Sequence, residues 1–361
     1  MATTQKTYPL KLKSTPEYIP VDPAFKPLPK NGHLSKIDPT FASVKDAADE
    51  AVAGLWKAPD WPTFRKLWDM PAQVPEWAPK EGAEVVTSTR LVPVRDGAQV
   101  EIKVYKSRNV KRNAALVLKM HGGGWAIGGH ETEQVENLVM AGKPEVVVVS
   151  VDYRMAPEYP FPTPINDCFD VLKWCKQNAS ELGIDPEKII TAGGSAGGNM
   201  SAVLAMMARD KGVSGIVAQI LNFPVTCHPK HMKGLADKYE LGSYIQNHDA
   251  SIVDATRMEL FWDAYDPEAN PEPYHSPLLA KSLRGLPPAL VQCAGLDPLR
   301  DEAIAYAEAL KAAGVEVELY AYQGLPHCFS SMLFDIPQSR DYYKRIEAFL
   351  DKLLKSPHSS L

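Results

Sequence analysis

Six short, almost wholly apolar runs constrain the fold of this chain most: Ala114–Met120, Val146–Val151, Ile189–Ala192, Ile216–Leu221, Ala289–Cys293 and Val315–Ala321. Runs of this length and character suit strands buried on both faces, as in a parallel sheet. Helical patterns at about 164–182, 196–211 and 299–313 separate several of them. Strand and helix in alternation predict an α/β fold, a mainly parallel sheet covered by helices on both faces. Ahead of the six, Val85–Val94 and Val100–Tyr105 alternate apolar and polar residues around the turn Asp96-Gly97. These read as half-buried antiparallel strands and bring the expected sheet to eight. With 361 residues, 45% hydrophobic and 23% charged, the chain can bury a large core without a metal or a disulfide framework.

The flanks of this pattern suggest a cap. The first forty residues are rich in Pro and Lys and show no periodicity, as an extended arm would. Phe41 to Lys57 then carries Phe41, Val44, Ala48, Ala51, Val52 and Leu55 at helical spacing, and Trp61-Pro62 opens a short helix through Met70. Residues 1–83 are therefore expected to form an arm with cap helices, and 84–361 the core. Between Leu221 and Ala289 lie over sixty residues, too many for a connection, with a helical pattern around Ile252–Tyr265. An inserted cap at about 225–275 is the expectation.

Charge and cysteine usage exclude several classes. The net charge is −5, with both signs interspersed, and the group Arg108, Lys111 and Arg112 reads as a solvated loop. Nucleic-acid binding calls for a broad basic face, so no nucleic-acid partner is expected. Five cysteines without framework spacing read as reduced thiols of an intracellular protein. The N-terminus lacks the apolar segment of a secretory signal, and no stretch approaches the roughly 20 apolar residues of a membrane span. The expected location is cytoplasmic. The terminal Ser359-Ser360-Leu361 is a loose relative of the peroxisomal Ser-Lys-Leu address but lacks its basic residue, and reads as a frayed tail.

The chemistry lies in the loops at the strand ends. Gly193-Gly194-Ser195-Ala196-Gly197 comes after one strand and opens an Ala- and Met-rich helix, the context of a nucleophile elbow with Ser195 at its apex. His121-Gly122-Gly123-Gly124-Trp125 comes directly after the strand Ala114–Met120. Glycines there let backbone N–H groups approach and stabilise the oxyanion of acyl transfer, with Ala196 N–H as the second component. A serine hydroxyl needs a base, and His327, just past the last apolar strand, stands where α/β sheets place catalysis. Asp297, directly after Ala289–Cys293, is the expected acid, with Asp301 as the alternative one helical turn on. Asp297 before Pro298 would equally suit a helix cap. Trp125, Phe261, Trp262 and Phe329 are expected to line the substrate pocket. Cys227-His228-Pro229-Lys230-His231 has the wrong spacing for zinc, and no metal or cofactor is implied.

At these motifs the sequence resembles the hormone-sensitive-lipase family of carboxylesterases, within the α/β-hydrolase fold. The matching pieces are His121–Trp125, Asp152–Glu158, Gly193–Asn199, Ser276–Leu279, Asp297–Asp301 and Pro326-His327, in family order from about residue 85 onward. The resemblance implies a Ser195, Asp297, His327 triad, an oxyanion hole of the Gly123, Gly124 and Ala196 N–H groups, and a helical cap over the site. It implies a small-molecule ester as substrate, and a cap rich in Trp, Phe and Met suggests a short to medium acyl chain. An acylated secondary metabolite is one such substrate, as in the fungal members that the long arm resembles. Gly194 departs from the pattern, standing where the family usually has Asp or Thr. Two other readings keep the scaffold: an acyltransferase or thioesterase with the same triad, and a non-catalytic ligand receptor. A homodimer is the oligomer expected, if any forms.

Overall fold

The computed structural model describes residues 7–69 and 73–355. Met70 and the terminal Ser359-Ser360-Leu361 lie outside the described residues. Eight strands form one sheet: β1 (Val85–Pro93), β2 (Gln99–Ser107), β3 (Ala114–Met120), β4 (Val146–Asp152), β5 (Ile184–Gly194), β6 (Ile216–Asn222), β7 (Ala289–Leu296) and β8 (Val317–Pro326). Among the described residues, the helices of eight residues or more are α1 (Lys45–Leu55), α2 (Trp61–Trp68), α3 (Gln134–Ala141), α4 (Thr163–Gln177), α5 (Ala196–Asp210), α6 (Ala255–Tyr265), α7 (Arg300–Ala312) and α8 (Pro337–Lys355).

The strand order is β1-β2-β4-β3-β5-β6-β7-β8, with β1 and β2 antiparallel and every pair from β4 to β8 parallel. The chain leaves β3 toward one edge to make β4, then returns to lay β5 on the other side of β3. That reversal opens a crevice at the carboxyl ends of β3 and β5, the place where open α/β sheets hold ligands. Pleating splits the strands between two cores. Leu116, Leu118, Val147 and Val149 face α4 and α5, whereas Val117, Val146 and Val148 face α3 and α8.

Several elements differ in extent from the sequence pattern, three of them for a visible local reason. The helix expected over 41–57 breaks before α1, where the Ser43 hydroxyl donates to the Thr40 carbonyl at 2.7 Å. The helix expected over 164–182 is interrupted at Asn178, whose side-chain amide donates back to Trp174 O at 2.8 Å, and helical turns resume over Ala179–Leu182. β8 runs on to Pro326 because its pairing with β7 persists to Leu296 opposite Pro326.

The arm is extended but tied down. Glu259 on α6, fully buried, accepts the N–H groups of Glu17 and Tyr18 at 2.7 Å each, and the Tyr18 hydroxyl donates to Asp263 at 2.6 Å. Farther back, Leu10 N–H donates to Pro59 O and Trp61 N–H to Tyr8 O, both at 3.1 Å. No helix among the described residues is long and apolar enough to cross a membrane.

Candidate active site

Ser195 sits between the end of β5 and the start of α5 with φ +54° and ψ −118°, a backbone state rare for a residue with a side chain. The turn closes this tightly because its neighbours are glycine: a Cβ on Gly193 would overlap Gly197, and one on Gly197 would overlap the Met120 carbonyl. Ser195 N–H donates to Asn222 O at 2.8 Å, pinning the turn to the end of β6.

The glycine loop after β3 lies alongside. Gly123 and Gly124 take φ of +109° and +57°, and a Cβ on Gly124 would enter the Phe261 ring. His121 lies flat on Tyr153, with ring centroids 4.2 Å apart and 11° between planes, and Tyr153 donates its hydroxyl proton to His121 O at 2.8 Å. Burial pushes the His121 imidazole down to about 3, so it stays neutral and serves the loop's packing.

Sheet register brings the other two residues together. Leu296 pairs with Pro326, so the next residue on each strand, Asp297 and His327, leaves the sheet side by side. His327 Nδ1 donates to Asp297 Oδ2 at 2.6 Å, and since a carboxylate only accepts, Nδ1 carries the proton and Nε2 keeps its lone pair. Asp297 Oδ1 accepts Leu299 N–H at 2.9 Å, so the residue also caps the following turn. Burial alone would depress the His327 imidazole, but the Asp297 carboxylate overrides it and holds it well above its ordinary value of 6.5. Asp301, the alternative acid, turns away to Arg300 at 2.7 Å and Gly242 N–H at 2.9 Å.

Ser195, His327 and the three glycines share one cavity of about 260 Å³. Its far walls are apolar: Trp56 directly after α1, Phe64 and Trp68 from α2, Met258 and Phe261 from α6, and Val253 before α6. Of the four aromatic residues expected in the pocket, Phe261 lines it and three do not. Trp125 stacks on Tyr265 at 4.2 Å and 5°, Trp262 packs against Trp125 at 4.6 Å, and Phe329 packs against Tyr322 at 5.0 Å. Each is buried, with its ring committed to its neighbours. Trp262 fails because α6 turns by about 100° per residue, so Phe261 and its successor cannot face the same cavity. Cys328 does reach the cavity, but burial pushes its thiol up, away from thiolate chemistry. His228 caps the turn after it through Lys230 N–H at 3.1 Å and belongs to no group of metal ligands among the described residues.

Two supports escaped the sequence pattern. Residues 34–38 of the arm pass so close beneath the site that a Cβ on Gly295 would overlap Leu34 O, and one on Gly324 would overlap Lys36 O. Ser35 joins this contact, accepting from Arg300 at 2.7 Å, while Asn247 donates to Gly295 O at 3.1 Å and Asp297 O at 2.9 Å. Gly295 and Gly324 were the available signals, since a glycine near a strand end marks a close backbone approach. The second is a buried ion cluster behind the glycine loop, Lys119 between Glu133 and Glu136.

Known proteins match this chain across the same region. The family described as alpha/beta hydrolase fold matches residues 117–331. Carboxylesterase NlhH of Mycobacterium tuberculosis is 39% identical over 260 residues, covering 71% of this chain and 79% of that protein. A versiconal hemiacetal acetate esterase of Dothistroma septosporum is 30% identical over 256 residues, covering 68% and 76%. Among solved structures, a bacterial heroin esterase superposes with a TM-score of 0.76 at 31% identity, covering 89% of this chain and 98% of that one. The chain belongs to the hormone-sensitive-lipase-like branch of the α/β-hydrolase family and is a carboxylic ester hydrolase.

Proposed function

We propose that the chain hydrolyses esters through Ser195 as nucleophile, His327 as general base and Asp297 as the acid that orients it. The observation that carries this is the 2.6 Å bond from His327 Nδ1 to Asp297, which leaves Nε2 as an acceptor in the cavity that Ser195 enters. Ser195 Oγ attacks the ester carbonyl as His327 takes its proton, and the Gly123, Gly124 and Ala196 N–H groups hold the oxyanion. His327 then protonates the leaving alcohol. Water repeats the sequence on the acyl-enzyme, with His327 again as base, and releases the acid.

The cap in this reading is α1 and α2 from residues 1–83 together with the segment at about 225–275. Its aromatic wall and the small cavity favour short to medium acyl esters of an apolar alcohol. The likeness to a versiconal hemiacetal acetate esterase supports deacylation of a secondary metabolite as the physiological reaction. Four buried free thiols, Cys168, Cys175, Cys227 and Cys293, support a reducing, cytoplasmic location.

The test is intact mass after a fluorophosphonate probe, together with turnover of p-nitrophenyl esters of increasing chain length. One adduct on Ser195, absent in Ser195→Ala, with fastest turnover on short chains is expected. Labelling without ester turnover would replace hydrolysis by acyl transfer, and no labelling of the folded protein would remove the triad.

A further inference from the structure

The oxyanion loop rests on ionised groups that take no part in the acyl transfer itself. Lys119, next to last in β3, points into the protein with its side chain 1% exposed. It pairs with Glu133, and with Glu136 at 2.6 Å. Glu133, at the mouth of α3, accepts Gly122 N–H at 3.1 Å on the carboxylate oxygen that Lys119 does not hold. Glu136 accepts from the Asn222 amide at 3.3 Å, and the carbonyl of the same Asn222 receives Ser195 N–H at 2.8 Å. A continuous polar chain therefore runs from the glycine loop through Glu133, Lys119, Glu136 and Asn222 to the nucleophile. Its two ends, Gly122 N–H and Ser195 N–H, each lie one residue before the N–H groups proposed to form the oxyanion hole.

The elbow makes room for this arrangement. A Cβ on Gly194 would overlap the Glu133 carboxylate, which fills the space that a side chain there would take. Burying three charges costs solvation that apolar side chains of similar size would not. Tying together two backbone segments that must act on one oxygen gives the cluster a role that packing alone leaves unexplained.

We infer, resting on the proposed roles of Ser195 and the glycine loop, that Glu133 is a positioning residue of the oxyanion hole: it fixes the Gly122 peptide and so aims the Gly123 and Gly124 N–H groups. Such a residue acts on the transition state, where those N–H groups matter most, and little on substrate binding.

The experiment compares Glu133→Ala, Glu133→Gln, Gly194→Ala and the Glu133→Ala/Gly194→Ala double variant. Turnover is normalised to Ser195 titrated to endpoint with the fluorophosphonate. Glu136 still pairs Lys119 in Glu133→Ala, and Gly194→Ala displaces the carboxylate without removing a charge. Each of these two is expected to lower kcat by about 10- to 100-fold, less than the loss of a hole donor outright, with KM within about 3-fold. Glu133→Gln keeps an acceptor for Gly122 N–H and is expected within about 5-fold of the parent in kcat. If both Ala changes act through one carboxylate, their losses do not add, and the double variant is no slower than Glu133→Ala. A parental kcat in Glu133→Ala, a change in KM alone, or additive losses would overturn the inference while labelling stays intact. Failure of the parent itself to label would instead overturn the triad.

Discussion

Asp297 carries two duties at once. One carboxylate oxygen caps Leu299 N–H and the other holds His327, so its geometry is set by the turn that it also stabilises. Its charge keeps the His327 imidazole well above 6.5 despite burial. If His327 is the general base proposed above, it works only when neutral, and activity is expected to fall as pH drops through that raised value. Asp297→Asn removes the charge and favours the wrong tautomer. The acid limb of the kcat/KM profile is then expected to move to lower pH, with kcat down by about 10⁴-fold. An acid limb that stays in place in the Asn variant would mean that another group sets it. Also at this scale, Trp125, Trp262 and Phe329 stay out of the pocket because sequence proximity to a motif does not say which way a ring points. Aromatic neighbours claim all three.

At the scale of elements, α6 is the hinge of the arrangement. Its Phe261 covers the glycine loop, and its Glu259 clasps the arm through two backbone N–H groups. Glu259→Ala removes the acceptor of both N–H groups, at a cost of about 0.5–1.5 kcal/mol for each hydrogen bond lost at this half-buried seam. The arm should then release locally. Limited proteolysis is expected to cut near Glu17 in the Ala variant well before the parent, and equal cutting rates would show that the clasp does not hold the arm. The same arm continues to Leu34–Lys36 under the Gly295 and Gly324 turns, so loosening it also relaxes the loops that carry Asp297 and His327.

For the whole molecule, burial makes the thiols a measure of intactness. Cys168, Cys175, Cys227 and Cys293 are buried and Cys328 is half-buried in the cavity that Ser195 and His327 share. A disulfide reagent is expected to find at most Cys328, slowly, in the native protein and all five thiols in denaturant. Prior labelling with the fluorophosphonate should shield Cys328, and rapid native reaction of several thiols would contradict this packing. The eight-stranded sheet was legible because apolar runs and turn residues are local, and the tight turn at Ser195 and the glycine loop because such turns need particular residues at fixed spacing. The meeting of Asp297 and His327 was legible for a related reason: a parallel sheet presents successive strand ends on one edge. What the chain could not reveal locally were contacts between segments remote in sequence, such as Lys119 with Glu136, Glu17 with Glu259, or Leu34 with Gly295. Strand and motif identity arise from short-range sterics and periodicity, which the sequence by itself determined. The direction of each buried side chain and the support beneath each loop depend on which surfaces meet, and only the tertiary structure decided that.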